Sequence, residues 1–264
     1  MQLWLFVALV LAEIVKNVAM HIYHSEELRS GVTSLVVERD VMLLKRPNQT
    51  DLNFPHPCEE VTPYRKKRNA VGIPWPTKNI PYEISSEMEN QMPDILAAME
   101  MISNHTCISF HERKPDEPNY LFYKVSESCT TYIGFTGGQQ AVLIGPQCSM
   151  GNIAHEILHS LGFHHEHTRW DRDNFISVVE ANIIAGMEYD FEKNNGETFN
   201  IPYDYTSIMH YGRNVFSSNG KDTIIPKQEA KNMGQRRQLM QSDIDRVQKF
   251  YHCDSEEAKT KTES

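Results

Sequence analysis

The stretch His155-Glu156-Ile157-Leu158-His159-Ser160-Leu161-Gly162-Phe163-His164-His165 constrains this chain more than any other part of it. On a helix, His155 and His159 are four residues apart, so both imidazoles project from one face and can share one ion. Glu156 follows the first histidine and is placed to reach a metal-bound water rather than the metal. Gly162 can take a left-handed conformation that ends the helix and turns the chain back, bringing His165 to the same ion. Neutral imidazoles suit Zn²⁺, and three protein ligands leave a fourth position for water, as a catalytic site requires. A bare H-E-x-x-H is a moderate signal; the extension through Gly162 to His165 adds two fixed positions, each with its own physical reason. His164 and His167 fall off the ten-residue spacing from His155 and read as ordinary side chains.

The rest of the composition bounds where such a site works. A chain of 264 residues, 40% hydrophobic, suits one catalytic domain with modest extensions. Its formal net charge of -9 argues against a general nucleic-acid binder, and the single basic run Arg65-Lys66-Lys67-Arg68 is too short to change that. Leu3 to Ala12 form an apolar run ended by Glu13, too short for a bilayer but suited to the core of a signal peptide, placed at residues 1–19 with cleavage after Ala12 or Ala19. No other stretch is apolar enough for a membrane anchor. Cys58, Cys107, Cys129, Cys148 and Cys253 contain no C-x-x-C pair, which disfavours a thiolate zinc site. In an exported chain, two disulfides and one leftover cysteine are the simpler account. The sequons at Asn48 and Asn104 fit the same route.

Residues 20–68 are polar and end in the basic run, which has the form of a processing site for a proprotein convertase or trypsin-like activator cutting between Arg68 and Asn69. The pattern then changes. Ile80 to Ile84 alternate as a strand, and Met92, Ile95, Leu96, Met99 and Ile102 repeat at helical spacing, so a helix is expected from near Asn90 with Pro93 in its first turn. Residues 107–110, 120–125 and 140–145 read as strands. Asp171 to Arg237 carry little periodicity. A last helix is expected near Ser242, with Ser242 and Asp245 as a capping box, before a charged tail at 254–264 expected to be disordered. The class is α+β, with a mixed sheet and the zinc-site helix in the N-terminal half and an irregular C-terminal half closed by a helix.

The motif continues as Phe163-His164-His165-Glu166-His167-Thr168-Arg169-Trp170-Asp171-Arg172-Asp173, and Ser207-Ile208-Met209-His210-Tyr211 follows. Together these resemble the astacin family of metzincin zinc endopeptidases, over roughly residues 69–253. The resemblance implies a zincin-like fold with a twisted sheet, and roles residue by residue. Met209 would be the Met-turn residue beneath the histidines. Tyr211 would be the phenol that binds zinc at rest and swings away to stabilise the tetrahedral intermediate. Glu166 would contact the new N-terminus of the mature enzyme. Cys107 would pair with Cys253 and Cys129 with Cys148; the shorter loop, about 20 residues, would contribute roughly 3 kcal/mol. Cys58 is left over. Family members carry F-x-G-D in the propeptide, whose aspartate caps the zinc; here Val37-Glu38-Arg39-Asp40 lacks the aromatic and the glycine, leaving Asp40 as the latency residue. The compact layout is similar to digestive astacins and hatching enzymes.

The implied reaction is hydrolysis of internal peptide bonds in protein or peptide substrates, with Glu156 as general base and Tyr211 aiding the oxyanion. The substrate is expected to lie extended beside an edge strand at Gln140 to Ile144. The competing readings are a catalytically inactive binding protein on the same fold, against which the retained Glu156 argues, and a structural zinc protein, for which the motif supplies no closing fourth ligand except Tyr211.

Overall fold

The computed structural model describes residues 34–37, 41–45 and 72–253. The expected leader at 1–19, Asp40, Asn48, Cys58, the basic run through Arg68, Asn69 and residues 254–264 lie outside the described residues. The chain divides into two units. In the smaller one the described backbone comprises β1 (Ser34–Val37) and the end of β2 (Val41–Lys45). The larger one holds Val41, Met42 and everything from residue 61 onward.

In the larger unit the sheet is built from β3 (Asn79–Ile84), β4 (Ser109–Glu112), β5 (Tyr120–Val125), β6 (Thr130–Tyr132) and β7 (Gln139–Ile144). From β6 the order runs β6-β7-β5-β3-β4. Pairing is parallel throughout except between β6 and β7, where Thr131 lies opposite Val142. The far side of β6 takes the start of β2 in parallel, Val41 opposite Thr131 and Met42 opposite Tyr132. β7 is therefore flanked on both sides. The expectation of an edge strand at Gln140 to Ile144 is corrected: the three-residue β6 lies outside it, and β6 escapes a reading by alternation because it is so short.

Helices α1 (Met92–Ser103) and α2 (Met150–Ser160) pack on each other and against the sheet. α1 starts with Gln91 as N-cap and Pro93 in its first turn, where a missing N–H costs nothing. Ile95, Ala98, Met99 and Ile102 bury against Ile153, Ala154, Ile157 and Leu158 of α2 and Ile80, Leu121, Tyr123 and Val142 of the sheet. The strand expected from Cys107 begins at Ser109 instead, because Cys107 is in a disulfide and the Ile108 N–H is taken by Thr106 Oγ1 at 3.2 Å.

The C-terminal half is a series of turns, with a two-stranded antiparallel pair, β8 (Ile176–Val178) and β9 (Ile224–Pro226), and its own core of Ile176, Phe191, Tyr203, Tyr205, Tyr211 and Phe216. The closing helix α3 (Gln241–Phe250) is joined to Cys107 by the Cys107–Cys253 disulfide, and a second disulfide links Cys129 to Cys148. The expected Ser242/Asp245 capping box is not formed. Met240 is the N-cap, and its N–H bonds to Asp243 Oδ2 at 2.9 Å, while Ser242 donates to Asp204 Oδ2 at 2.6 Å. No helix among the described residues is long and apolar enough to cross a membrane.

Candidate active site

α2 delivers the first two histidines on a helix fixed at both ends. At its start Ser149 Oγ accepts from Asn152 N, and Asn152 Oδ1 accepts from Ser149 N at 3.2 Å, a reciprocal cap. At its end Gly162 has φ +113°, and the amides of Gly162 and Phe163 bond back to the carbonyls of His159 (2.8 Å) and Leu158 (3.1 Å). This left-handed stop satisfies two carbonyls that the helix would otherwise leave bare and turns the chain toward His165. Gly151, on the same helix, permits a close approach from elsewhere: a Cβ there would lie 1.9 Å from Arg236 O.

The three buried imidazoles converge. The Nε2 atoms of His155, His159 and His165 are 3.0, 3.1 and 3.3 Å apart pairwise. Ligand nitrogens on a tetrahedral zinc, with Zn–N of about 2.05 Å, stand about 3.3 Å apart. The remaining nitrogens fix the tautomers: His155 Nδ1–H donates to Ile208 O at 2.8 Å and His159 Nδ1–H to Phe163 O at 2.7 Å, leaving the Nε2 lone pairs free to ligate. The group fits one zinc ion. Among the described residues these three form the metal-binding cluster.

Glu156, buried on the same helix, shares a cleft with His155, Tyr211, Val215, Phe216 and Arg236. The Tyr211 ring lies 4.4 Å from the His165 ring and stacks at 4.0 Å on His167. Its backbone carbonyl accepts from His210 Nδ1 at 2.7 Å, and His210 Nε2 accepts from Tyr203 Oη at 2.6 Å. Burial lowers the His210 imidazole to about 4 and raises the Tyr203 phenol. Burial likewise holds His167 well below its ordinary value, so this ring is neutral, with Nε2 bonded to Asp190 O at 3.0 Å. Taken as an ordinary side chain in the sequence, His167 is not among the ligands; it forms one wall of the Tyr211 site.

Met209 is buried in the main core, and its carbonyl accepts from Glu166 N at 3.0 Å. The Glu166 carboxylate is buried too, with Oε1 accepting from Arg246 Nη2 (2.6 Å), Asp204 N (2.9 Å) and Arg169 Nη1 (3.2 Å). Burial raises its pKa against the pull of Arg246 and Arg169. A small cavity lies beside it, bordered by His164, Thr198, Asp243 and Arg246. Sequence reasoning missed Asp204, His210, Asp243 and Arg246. A signal existed for the last two, since charged residues three apart on α3 sit at helical spacing with buried Val247.

Three convergent histidines, two on a buried helix and the third past its end, with a carboxylate next to the first of them, define a zinc metallopeptidase domain. The family model of astacin, peptidase family M12A, matches residues 67–252, and the chain belongs to this family. It is 37% identical over 246 residues to zinc metalloproteinase nas-14 of Caenorhabditis elegans, covering 86% of this chain and 49% of that protein. With nas-4 of the same organism it shares 39% over 186 residues, 68% of this chain and 59% of the relative. The chain thus spans about half to three-fifths of the length of these relatives. Among solved structures, high choriolytic enzyme 1, a hatching enzyme zinc-protease from Oryzias latipes, superposes with a TM-score of 0.64 at 37% identity, covering 70% of this chain and 95% of that one.

Proposed function

We propose that this chain is a secreted zinc endopeptidase made as a latent precursor. The observation that carries the reading is the convergence of three imidazoles, two of them with their tautomers fixed, next to buried Glu156, which shares a cleft with His155 and Tyr211. Zinc, when bound, acidifies a water and polarises the scissile carbonyl. The Glu156 carboxylate takes a proton from the attacking water and passes it to the leaving amine. The Tyr211 phenol donates a hydrogen bond to the carbonyl oxygen as that atom gains negative charge, held on its approach side by the stacked His167. Met209 gives the cup an apolar floor.

The substrate backbone lies along β6, the strand that follows Cys129 at the cleft. The pairing of Val41 and Met42 with Thr131 and Tyr132 supports latency, because in the full chain those residues take the edge a substrate would use. Asp40 directly precedes this paired segment, which favours it as the carboxylate that caps the metal. A cut between Arg68 and Asn69 by a proprotein convertase or trypsin-like enzyme removes the stopper, and the cavity beside Glu166 receives the new amino terminus. Export is supported by the apolar leader and the two disulfides. Domains accordingly run as leader 1–19, propeptide 20–68, catalytic domain 69–253 and tail 254–264.

The test is digestion of denatured casein by chain cut after Arg68. Cleavage that a zinc chelator abolishes and added zinc restores is the expected result; a zinc-loaded, folded, processed chain that cleaves nothing would favour the inactive binding protein.

A further inference from the structure

We propose that Asp243, on α3, is a positioning residue for the metal cup: through Ile208 it fixes the orientation of His155. The chain of contacts is short. Asp243 Oδ2 accepts from the Ile208 N–H at 3.0 Å, and the carbonyl of that same Ile208 accepts from His155 Nδ1–H at 2.8 Å. One residue therefore separates the carboxylate from the ligand. Asp243 Oδ1 accepts from Ser207 Oγ at 2.5 Å, and Ser207 Oγ accepts from Met209 N at 3.0 Å, so the whole turn Ser207-Ile208-Met209 hangs from one side chain.

Capping alone does not account for this carboxylate. The cap of α3 uses a single contact, Met240 N to Oδ2, whereas Asp243 is 2% exposed and gathers two further donors from a segment 35 and 36 residues away. A buried carboxylate costs several kcal/mol unless hydrogen-bonded or paired; Arg246 Nη1 lies 3.7 Å from Oδ1, and the turn beneath the histidines supplies two of the three hydrogen-bond donors. The helix that carries it is tied to the site at several points. Arg246, one turn further along α3, holds Glu166 at 2.6 Å, next to His165. Tyr251 Oη donates to Leu161 O at the end of α2, and Cys253 is disulfide-bonded to Cys107. α3 thus reaches both non-adjacent ligands through their neighbours: His155 through Asp243 and Ile208, and His165 through Arg246 and Glu166. Partners that orient a ligating imidazole typically change metal affinity about 10- to 100-fold when removed.

The inference rests on the three histidines being the zinc ligands, and the test separates the two claims. Zinc affinity of the full chain is measured by competition with a chromogenic chelator, and the cobalt(II) absorption spectrum is recorded on the same proteins. Wild type that takes up no zinc contradicts the ligand assignment itself. With wild-type uptake in hand, Asp243→Ala is expected to bind zinc about 10- to 100-fold more weakly, with a shifted cobalt spectrum. Asp243→Asn keeps an oxygen for Ile208 N and Met240 N and is expected to stay within about threefold of wild type, well short of that range. Wild-type affinity in the alanine variant overturns the positioning role. Equal losses in both variants also overturn it, since they point to the charge and not the hydrogen bonds. Should the alanine variant not fold, Ser207→Ala replaces it: several-fold weaker zinc binding with a native circular dichroism spectrum supports the role, and unchanged binding overturns it.

Discussion

Arg246 donates a 2.6 Å hydrogen bond to the buried carboxylate of Glu166, the residue that follows the third histidine. Arg169 is the second cation at the same oxygen, 3.2 Å away. Removing one partner of a buried pair leaves an uncompensated charge, which costs more than the intact pair contributes. Arg246→Met should therefore destabilise the fold by about 3 to 5 kcal/mol, since Arg169 still faces Glu166 but buried Asp243 loses the cation 3.7 Å from its Oδ1. The denaturant midpoint measures it; a loss under about 1 kcal/mol, typical of exposed pairs, would mean Glu166 is solvated after all.

Tyr211→Phe removes a donor while keeping the ring that stacks on His167 and borders His165. A donor used mainly in the transition state should show in kcat, which is expected to fall about 100-fold or more with KM within a few-fold. Steady-state kinetics on a fluorogenic peptide decides between this and a substrate-binding role, in which KM alone would rise.

Stability should fall on mild acidification. Burial lowers His210 to about 4 from an ordinary value near 6.5, so between these limits the unfolded chain binds the proton and the folded one does not. The contribution of neutral His210 is full above pH 6.5 and is lost as pH falls toward 4, with a ceiling of about 3 kcal/mol. Thermal midpoints recorded over that range should descend less steeply for His210→Gln than for wild type. Parallel descents would show that His210 does not carry the effect.

Much of the site was legible because it is local. The metal-binding stretch needs only helical spacing and one glycine to define the cup, and Gly162 takes the positive φ the pattern asks for. The strands at Ile80 and Tyr120 and the helix through Ile95 follow from alternation and periodicity within single segments. What local pattern does not carry is long-range recruitment. Local pattern points to Ser242 and Asp245 as the cap of α3, whereas Ile208 and Ser207, 35 and 36 residues back, recruit Asp243. β6 has three residues, too few for alternation, yet it displaces β7 from the edge. His167 is two residues past a ligand and off its spacing, and only the fold brings Tyr211 onto its face.

Latency should depend on the propeptide. The full chain carrying Arg68→Ala, which removes the proposed cleavage site, is expected to stay silent toward casein, and adding Asp40→Ala is expected to release part of the activity. An uncut chain with Asp40 intact that works as fast as the processed form would end the latency account. Silence in the double variant would shift the capping role to another propeptide group, Cys58 included.

The central claim is that Glu156 moves the proton and the three histidines hold the metal. Both parts are read in one variant, Glu156→Gln, assayed after cutting at Arg68 for bound zinc by atomic absorption and for peptide turnover. The account predicts one zinc per chain with turnover reduced by at least about 100-fold, the scale of a lost general base. Turnover near the wild-type rate at full zinc occupancy would contradict it.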